Sequence, residues 1–144
     1  MIAHQTNCKG AFKTGVAGAI RKTFPDVAKQ YEEYVRSRLA GGWESSSLLG
    51  KVQFVHINEK QTVANMFCQE KYGYDGARYT SYDAFATALN RLKQHCLDNG
   101  KSSLAFPCRI GCVRGGANWN VIKVMIVETF SDTDLNLEFW DYPG

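Results

Sequence analysis

The sequence predicts an α/β fold in which helices cover both faces of a central sheet. Three observations carry that reading. Short runs rich in β-branched and aromatic residues alternate with longer runs of helical periodicity. Two glycine-bearing loops follow strand candidates, the place where folds of this class bind ligands. The chain has 144 residues, 44% hydrophobic and 22% charged, which suits one globular domain over 1–144.

Met1-Ile2-Ala3-His4-Gln5 reads as a short strand entering the first loop. Residues 16–23 suit a helix with Ala and Ile on one face. Pro25 suits the first turn of the next helix, where its missing N–H has no helical partner to lose. There Val27, Tyr31, Tyr34 or Val35, and Leu39 recur at helical spacing, and Gly41-Gly42 ends the helix. Ser45-Ser46-Ser47 reads as a loop. Residues 52–57 and 61–67 read as strands, and Asn58-Glu59-Lys60 joins them as a hairpin. Residues 69–78 form a loop around Tyr72-Gly73-Tyr74-Asp75-Gly76. Thr80 or Ser81 caps a long helix with the apolar stripe Phe85, Leu89, Leu92 and Cys96, closed by Gly100. Residues 103–108 are a buried strand. Asn118 can cap the last helix, whose stripe is Ile122, Met125, Ile126 and Phe130, and residues 135–140 alternate as a final strand.

The net charge of +3 is too small to argue for nucleic acid, and Arg21-Lys22 with Lys13 nearby reads as a solvated face; no nucleic-acid partner is expected. The five cysteines, Cys8, Cys68, Cys96, Cys108 and Cys112, are odd in number and contain no C-x-x-C pair. Neither a disulfide framework nor a zinc site is indicated. Cys68 and Cys108 lie in apolar runs and read as small buried hydrophobes in a reducing compartment. No apolar run approaches the ~20 residues of a membrane span, and the first residues lack the charged start and apolar stretch of a signal peptide. A cytoplasmic protein without a membrane partner is expected. No His/Cys/Asp cluster has metal spacing, so neither metal nor cofactor is expected.

The chemistry concentrates in two loops. In Ile110-Gly111-Cys112-Val113-Arg114-Gly115-Gly116-Ala117-Asn118-Trp119 a strand ends, a glycine-rich loop follows and an amphipathic helix begins. Glycines let backbone N–H groups approach an anion, and a helix N-terminus adds partial positive charge, so this order makes a phosphate cradle. Asn7-Cys8-Lys9-Gly10-Ala11-Phe12-Lys13-Thr14-Gly15 is a second loop of similar kind. Together they suit a ligand carrying phosphate and sugar.

Ile2-Ala3-His4-Gln5-Thr6-Asn7-Cys8-Lys9-Gly10, Gly15-Val16-Ala17, Phe24-Pro25, Leu49-Gly50-Lys51-Val52, Val63-Ala64-Asn65-Met66-Phe67, Arg78-Tyr79-Thr80-Ser81-Tyr82, Ala105-Phe106-Pro107, Ile110-Gly111-Cys112 and Trp119 occur in an order and spacing that run end to end. In them the chain resembles a macro domain, of the group related to yeast-type ADP-ribose-1″-phosphate phosphatases and terminal ADP-ribose protein glycohydrolases. The resemblance implies a three-layer α/β/α macro domain with a mixed central sheet that lacks the family's usual first strand and the acidic, adenine-contacting residue after it. It implies ADP-ribose or ADP-ribose-1″-phosphate as ligand and an ADP-ribosylated protein as a further partner. The group's glycohydrolases use a lysine nucleophile and a second-loop aspartate. Gly115 stands at the aspartate's position, and Asn118 replaces the acid before Trp119, so that covalent mechanism does not carry over.

The resemblance implies a catalytic histidine at His4, where imidazole would activate water or protonate a leaving oxygen; otherwise His4 is a strand-end histidine satisfied by backbone. Asn7 corresponds to the asparagine that bonds the distal ribose, or is a turn asparagine. Gly10, Gly15 and Val16 would carry the first loop past ribose and phosphate; Gly111, Cys112, Val113, Gly115, Gly116 and Asn118 would form the second wall. Arg114 would pair with phosphate through its planar fork, and Lys13 either joins it or points to solvent. The expected activity is removal of a group from the distal ribose, foremost the 1″-phosphate. The alternative is a binding module without turnover.

Overall fold

A computed structural model describes residues 1–141; the expected domain end at 144 lies outside the described residues. The elements are β1 (Ile2–Asn7), α1 (Gly15–Thr23), α2 (Pro25–Ala40), a 3₁₀ turn (Ser45–Leu48), β2 (Val52–Asn58), β3 (Gln61–Gln69), α3 (Tyr82–Asp98), β4 (Ser103–Pro107), α4 (Trp119–Phe130) and β5 (Asn136–Trp140). The sheet runs in the order β2-β3-β1-β4-β5. β1, β3, β4 and β5 are parallel, and β2 is antiparallel to β3 through the expected hairpin. The sequence's mixed α/β sheet is therefore present.

Side-chain alternation sends successive β3 residues to opposite faces. Val63 and Phe67 face α1 and α2, where they pack with Phe12, Val27, Tyr31, Val35 and Leu48. Ala64, Met66 and Cys68 face α3, and join Phe85, Leu89, Leu92, Phe106, Ile122 and Ile126 beneath α3 and α4. Covering both faces explains why β3 reads as a continuous apolar run rather than an alternating one. Each large side chain fully withdrawn from water stabilises the fold by about 1.5–3 kcal/mol.

Several expectations need correction. Ser45-Ser46-Ser47 is not an open loop: with Leu48 it forms the 3₁₀ turn, held because Leu48 is buried in the core. Leu39 leaves the α2 stripe and is 37% exposed. β1 runs on to Asn7, β4 stops at Pro107 and β5 starts at Asn136. Ser81, not Thr80, caps α3, its Oγ accepting from the Ala84 N–H at 3.2 Å. The last helix is barely amphipathic, since Val121, Val124 and Val127 lie on its outer face.

Candidate functional site

The chain leaves β1 toward α1 on one face of the sheet and leaves β4 toward α4 on the other. Neighbouring strands whose connections part in this way leave a crevice at their C-terminal ends. A cleft of about 770 Å³ opens there. One wall is the first loop and the start of α1, the other is residues 107–115, and Gln69, Tyr72, Gly73 and Tyr74 close a third side.

The first loop is built by Asn7, which is buried. Its Oδ1 accepts from the N–H groups of Lys9 (2.9 Å) and Ala11 (3.2 Å), and its Nδ2 donates to the Ala11 carbonyl (2.8 Å). The Tyr31 hydroxyl, rising from α2, donates to the Asn7 carbonyl at 2.7 Å and lies 3.0 Å from its Oδ1. The turn role open to Asn7 is therefore present: its side chain staples the loop, and the residue also lines the cleft. Gly10, with φ of 88°, makes the turn that this staple encloses.

The loop delivers the chain into α1. Thr14 stands at the N-cap but makes no side-chain cap bond, and Gly15, Val16 and Ala17 line the cleft with their backbone N–H groups unpaired. An uncapped helix N-terminus facing a cleft is an anion site. The sequence reading expected a cradle at the last helix as well as a similar loop here. There Asn118 caps α4, its Oδ1 accepting from the Asn120 N–H at 2.9 Å, while its own N–H donates to the Tyr82 hydroxyl at 2.9 Å. Asn118 and Gly116 are not among the residues that line the cleft.

The second loop is clipped to residues 77–80. Tyr79 and Thr80 both donate backbone N–H groups to the Gly115 carbonyl, at 2.8 and 2.9 Å. The Thr80 hydroxyl donates to the Gly111 carbonyl at 2.8 Å and accepts from Gln5 Nε2 at 2.7 Å, which also donates to Gln69 Oε1 at 2.7 Å. A Cβ on Gly115 would overlap Thr80 Oγ1 and the Gly111 carbonyl; one on Gly116 would lie 2.7 Å from the Ala77 carbonyl. These glycines are required by close approach of their own chain. Gly111, Cys112, Val113, Arg114 and Gly115 do line the cleft, as expected. Cys108 lines it too and is half-exposed, which corrects its reading as a buried hydrophobe: β4 ends one residue earlier.

Arg114 crosses the mouth. Its Nη1 donates to Thr14 Oγ1 at 2.8 Å, and its guanidinium lies 4.7 Å from the centre of the Tyr74 ring. Lys9, Lys13, Arg109 and Arg114 line the walls, whereas no Asp or Glu does among the described residues. Lys9 is offset by Glu70, 4.0 Å away, so Lys13, Arg109 and Arg114 are the cations that bias the cleft toward anions.

His4 sits at the base of the cleft and is only 1% exposed. Its Nε2 lies 2.6 Å from Asn65 Oδ1, an acceptor, so Nε2 carries the proton and Nδ1 keeps a lone pair with no protein partner. Burial pulls its pKa down to about 4, against the smaller opposite pull of the Asn65 bond. The imidazole is therefore neutral at neutral pH, and the backbone-satisfied alternative also fails, because its partner is a side chain.

Sequence reading missed Gln5, Gln69 and Thr80, which tie β1 and β3 to the second loop, and Tyr31 and Tyr74, which hold one loop and Arg114. The available signal was a glutamine at the end of each of two strand candidates and a tyrosine pair around a glycine in the 69–78 loop.

No family model matches the chain. ADP-ribose glycohydrolase OARD1 of Homo sapiens is 37% identical over 57 residues, 40% of this chain and 37% of that protein. ADP-ribose 1″-phosphate phosphatase of Meyerozyma guilliermondii is 30% identical over 104 residues, 72% of this chain and 56% of that protein. The chain thus spans between 37% and 56% of the length of these curated relatives. The solved structure of a macrodomain protein from Streptomyces coelicolor matches with a TM-score of 0.79 at 28% identity, over 99% of this chain and 87% of that one. On sequence and fold together, the chain belongs to the macro domain family, in the group that includes ADP-ribose glycohydrolases and ADP-ribose 1″-phosphate phosphatases.

Proposed function

We propose that the protein binds ADP-ribose derivatives in this cleft and hydrolyses a group on the distal ribose, foremost the 1″-phosphate of ADP-ribose-1″-phosphate. One observation carries the reading: a cleft lined by four cationic side chains and an uncapped helix N-terminus, with no lining carboxylate among the described residues. A sugar diphosphate complements it, and a further phosphate complements it better. The names of the two relatives support hydrolysis of an ADP-ribose derivative. Within this reading His4 is a positioning residue at the base of the cleft: Asn65 fixes its tautomer, and its Nδ1, buried without a protein partner, meets water only when the cleft floor opens. An ADP-ribosylated protein would present the same terminal ribose.

A second reading has its own observation. With Gly115 at the position where the family resemblance implies an aspartate, no carboxylate lines the cleft among the described residues, which favours a module that binds without turnover.

One experiment separates them. ADP-ribose at 100 times its Kd should stabilise the fold by about 2.7 kcal/mol in thermal unfolding. Phosphate release from ADP-ribose-1″-phosphate that falls roughly 10²-fold in kcat in His4→Gln, with ADP-ribose affinity unchanged, supports the enzyme. Stabilisation without phosphate release gives the binding module. No stabilisation overturns both.

A further inference from the structure

β2 ends the sheet, so its outer backbone N–H and C=O groups have no partner strand. A groove of about 470 Å³ runs along this edge between α2 and α3 and shares no lining residue with the cleft. Its floor is Phe54, stacked on the His95 ring with centroids 3.6 Å apart. His95 Nε2 is buried there without a hydrogen-bond partner.

The rim is positive and rigid. The Arg38 guanidinium lies 4.9 Å from the ring centres of both Tyr34 and Trp43, and Lys51 Nζ lies 5.4 Å from the Trp43 ring. Tyr34 and Lys51 line the groove, and so does Arg91, whose Nη1 donates to the Gly50 carbonyl at 3.1 Å. Arg38, Lys51 and Arg91 form no ion pair with a carboxylate among the described residues. The one lining acid, Asp98, already accepts from Gln94 Nε2 at 2.8 Å. Ring contacts hold Arg38 and Lys51 without neutralising them, and Arg91 bonds only a neutral carbonyl, so against the one carboxylate of Asp98 the three cations leave the rim net positive.

We propose that this groove docks an extended acidic peptide segment of a partner protein, which adds as an outer strand to β2 and sets its carboxylates against Lys51, Arg91 and Arg38. An unpaired edge supplies main-chain hydrogen bonds to any extended chain, and the cations select an acidic one. Compact or neutral ligands would use neither feature. The inference is independent of what the main cleft binds.

The probe is a fluorescent peptide of alternating Glu and Val, titrated against the whole chain and followed by anisotropy. The peptide is expected to bind, and Lys51→Glu with Arg91→Glu should weaken it by roughly tenfold or more, the scale of losing charge pairs across an interface. Lys51→Gln with Arg91→Gln gives the same direction in a milder variant. Hydrogen exchange should slow at β2 amides on binding, and ADP-ribose affinity should stay unchanged in every variant. Undiminished peptide affinity in these variants, slowing at β5 rather than β2, or displacement of the peptide by ADP-ribose would each overturn the proposal. So would tighter binding of a single-stranded oligothymidylate through the same residues.

Discussion

His4 shows how burial fixes a residue's chemistry. The folded protein holds the imidazole neutral down to about pH 4, whereas an unfolded chain takes up that proton near the ordinary 6.5. Between these values the unfolded state binds more protons, so stability falls as pH drops through the window and is flat above it. A tenfold difference in proton affinity corresponds to about 1.4 kcal/mol, which puts the loss at roughly 3 kcal/mol near pH 4. Urea midpoints measured at pH 7 and near pH 4.5 should therefore diverge more in the natural protein than in His4→Gln. Burial and the neighbouring His56 also lower the His95 pKa, so part of the slope survives the substitution. Equal slopes in both proteins would place the His4 ring in contact with water. Nothing in the sequence distinguished this histidine from an exposed one. The partner that orients it, Asn65, comes from β3, 61 positions away.

At the level of elements, what could be read was what local periodicity controls. The stripes Val27-Tyr31-Val35, Phe85-Leu89-Leu92-Cys96 and Ile122-Ile126-Phe130 all face the core as their spacing demands. The alternative that pairs Tyr34 with them resolves in favour of Val35, and Tyr34 turns to the groove instead. The second loop was legible as a loop but not as to its purpose. A Gly-Gly pair before a helix has the same sequence whether the glycines admit a phosphate or admit another strand of protein. Here residues 77–80 take that space, and their distance along the chain hides them from any local reading. A methyl group on Gly115 should force the Thr80 hydroxyl off the Gly111 carbonyl, as overpacking does in a core. Gly115→Ala should lose roughly 1–3 kcal/mol in urea unfolding. The same displacement carries Arg114 away from Thr14, so ADP-ribose affinity should fall with stability. A variant of natural stability would mean that the loop and residues 77–80 are not in register.

Taken as a whole, the molecule divides its labour across the sheet. The α3 and α4 side is closed around Phe85, Phe106 and Ile126, and its connections end in the clipped second loop. The α1 and α2 side carries the first loop and the uncapped helix start, and its core grips that loop through the Tyr31 hydroxyl. Tyr31 itself is wholly buried between Phe12 and Phe67, so the hydroxyl cannot move without repacking that layer. The first loop is therefore shaped when the protein folds, before any ligand arrives. The entropy of ordering residues 7–11 belongs to folding, and association has little left to freeze. Calorimetry should then show ligand binding with a small entropic penalty. In Tyr31→Phe the ring stays in place and the loop loses its tether; the heat of binding should hardly change while the entropy term turns against association. A change confined to enthalpy would mean that the hydroxyl speaks to the ligand directly, and that the loop keeps its shape without it.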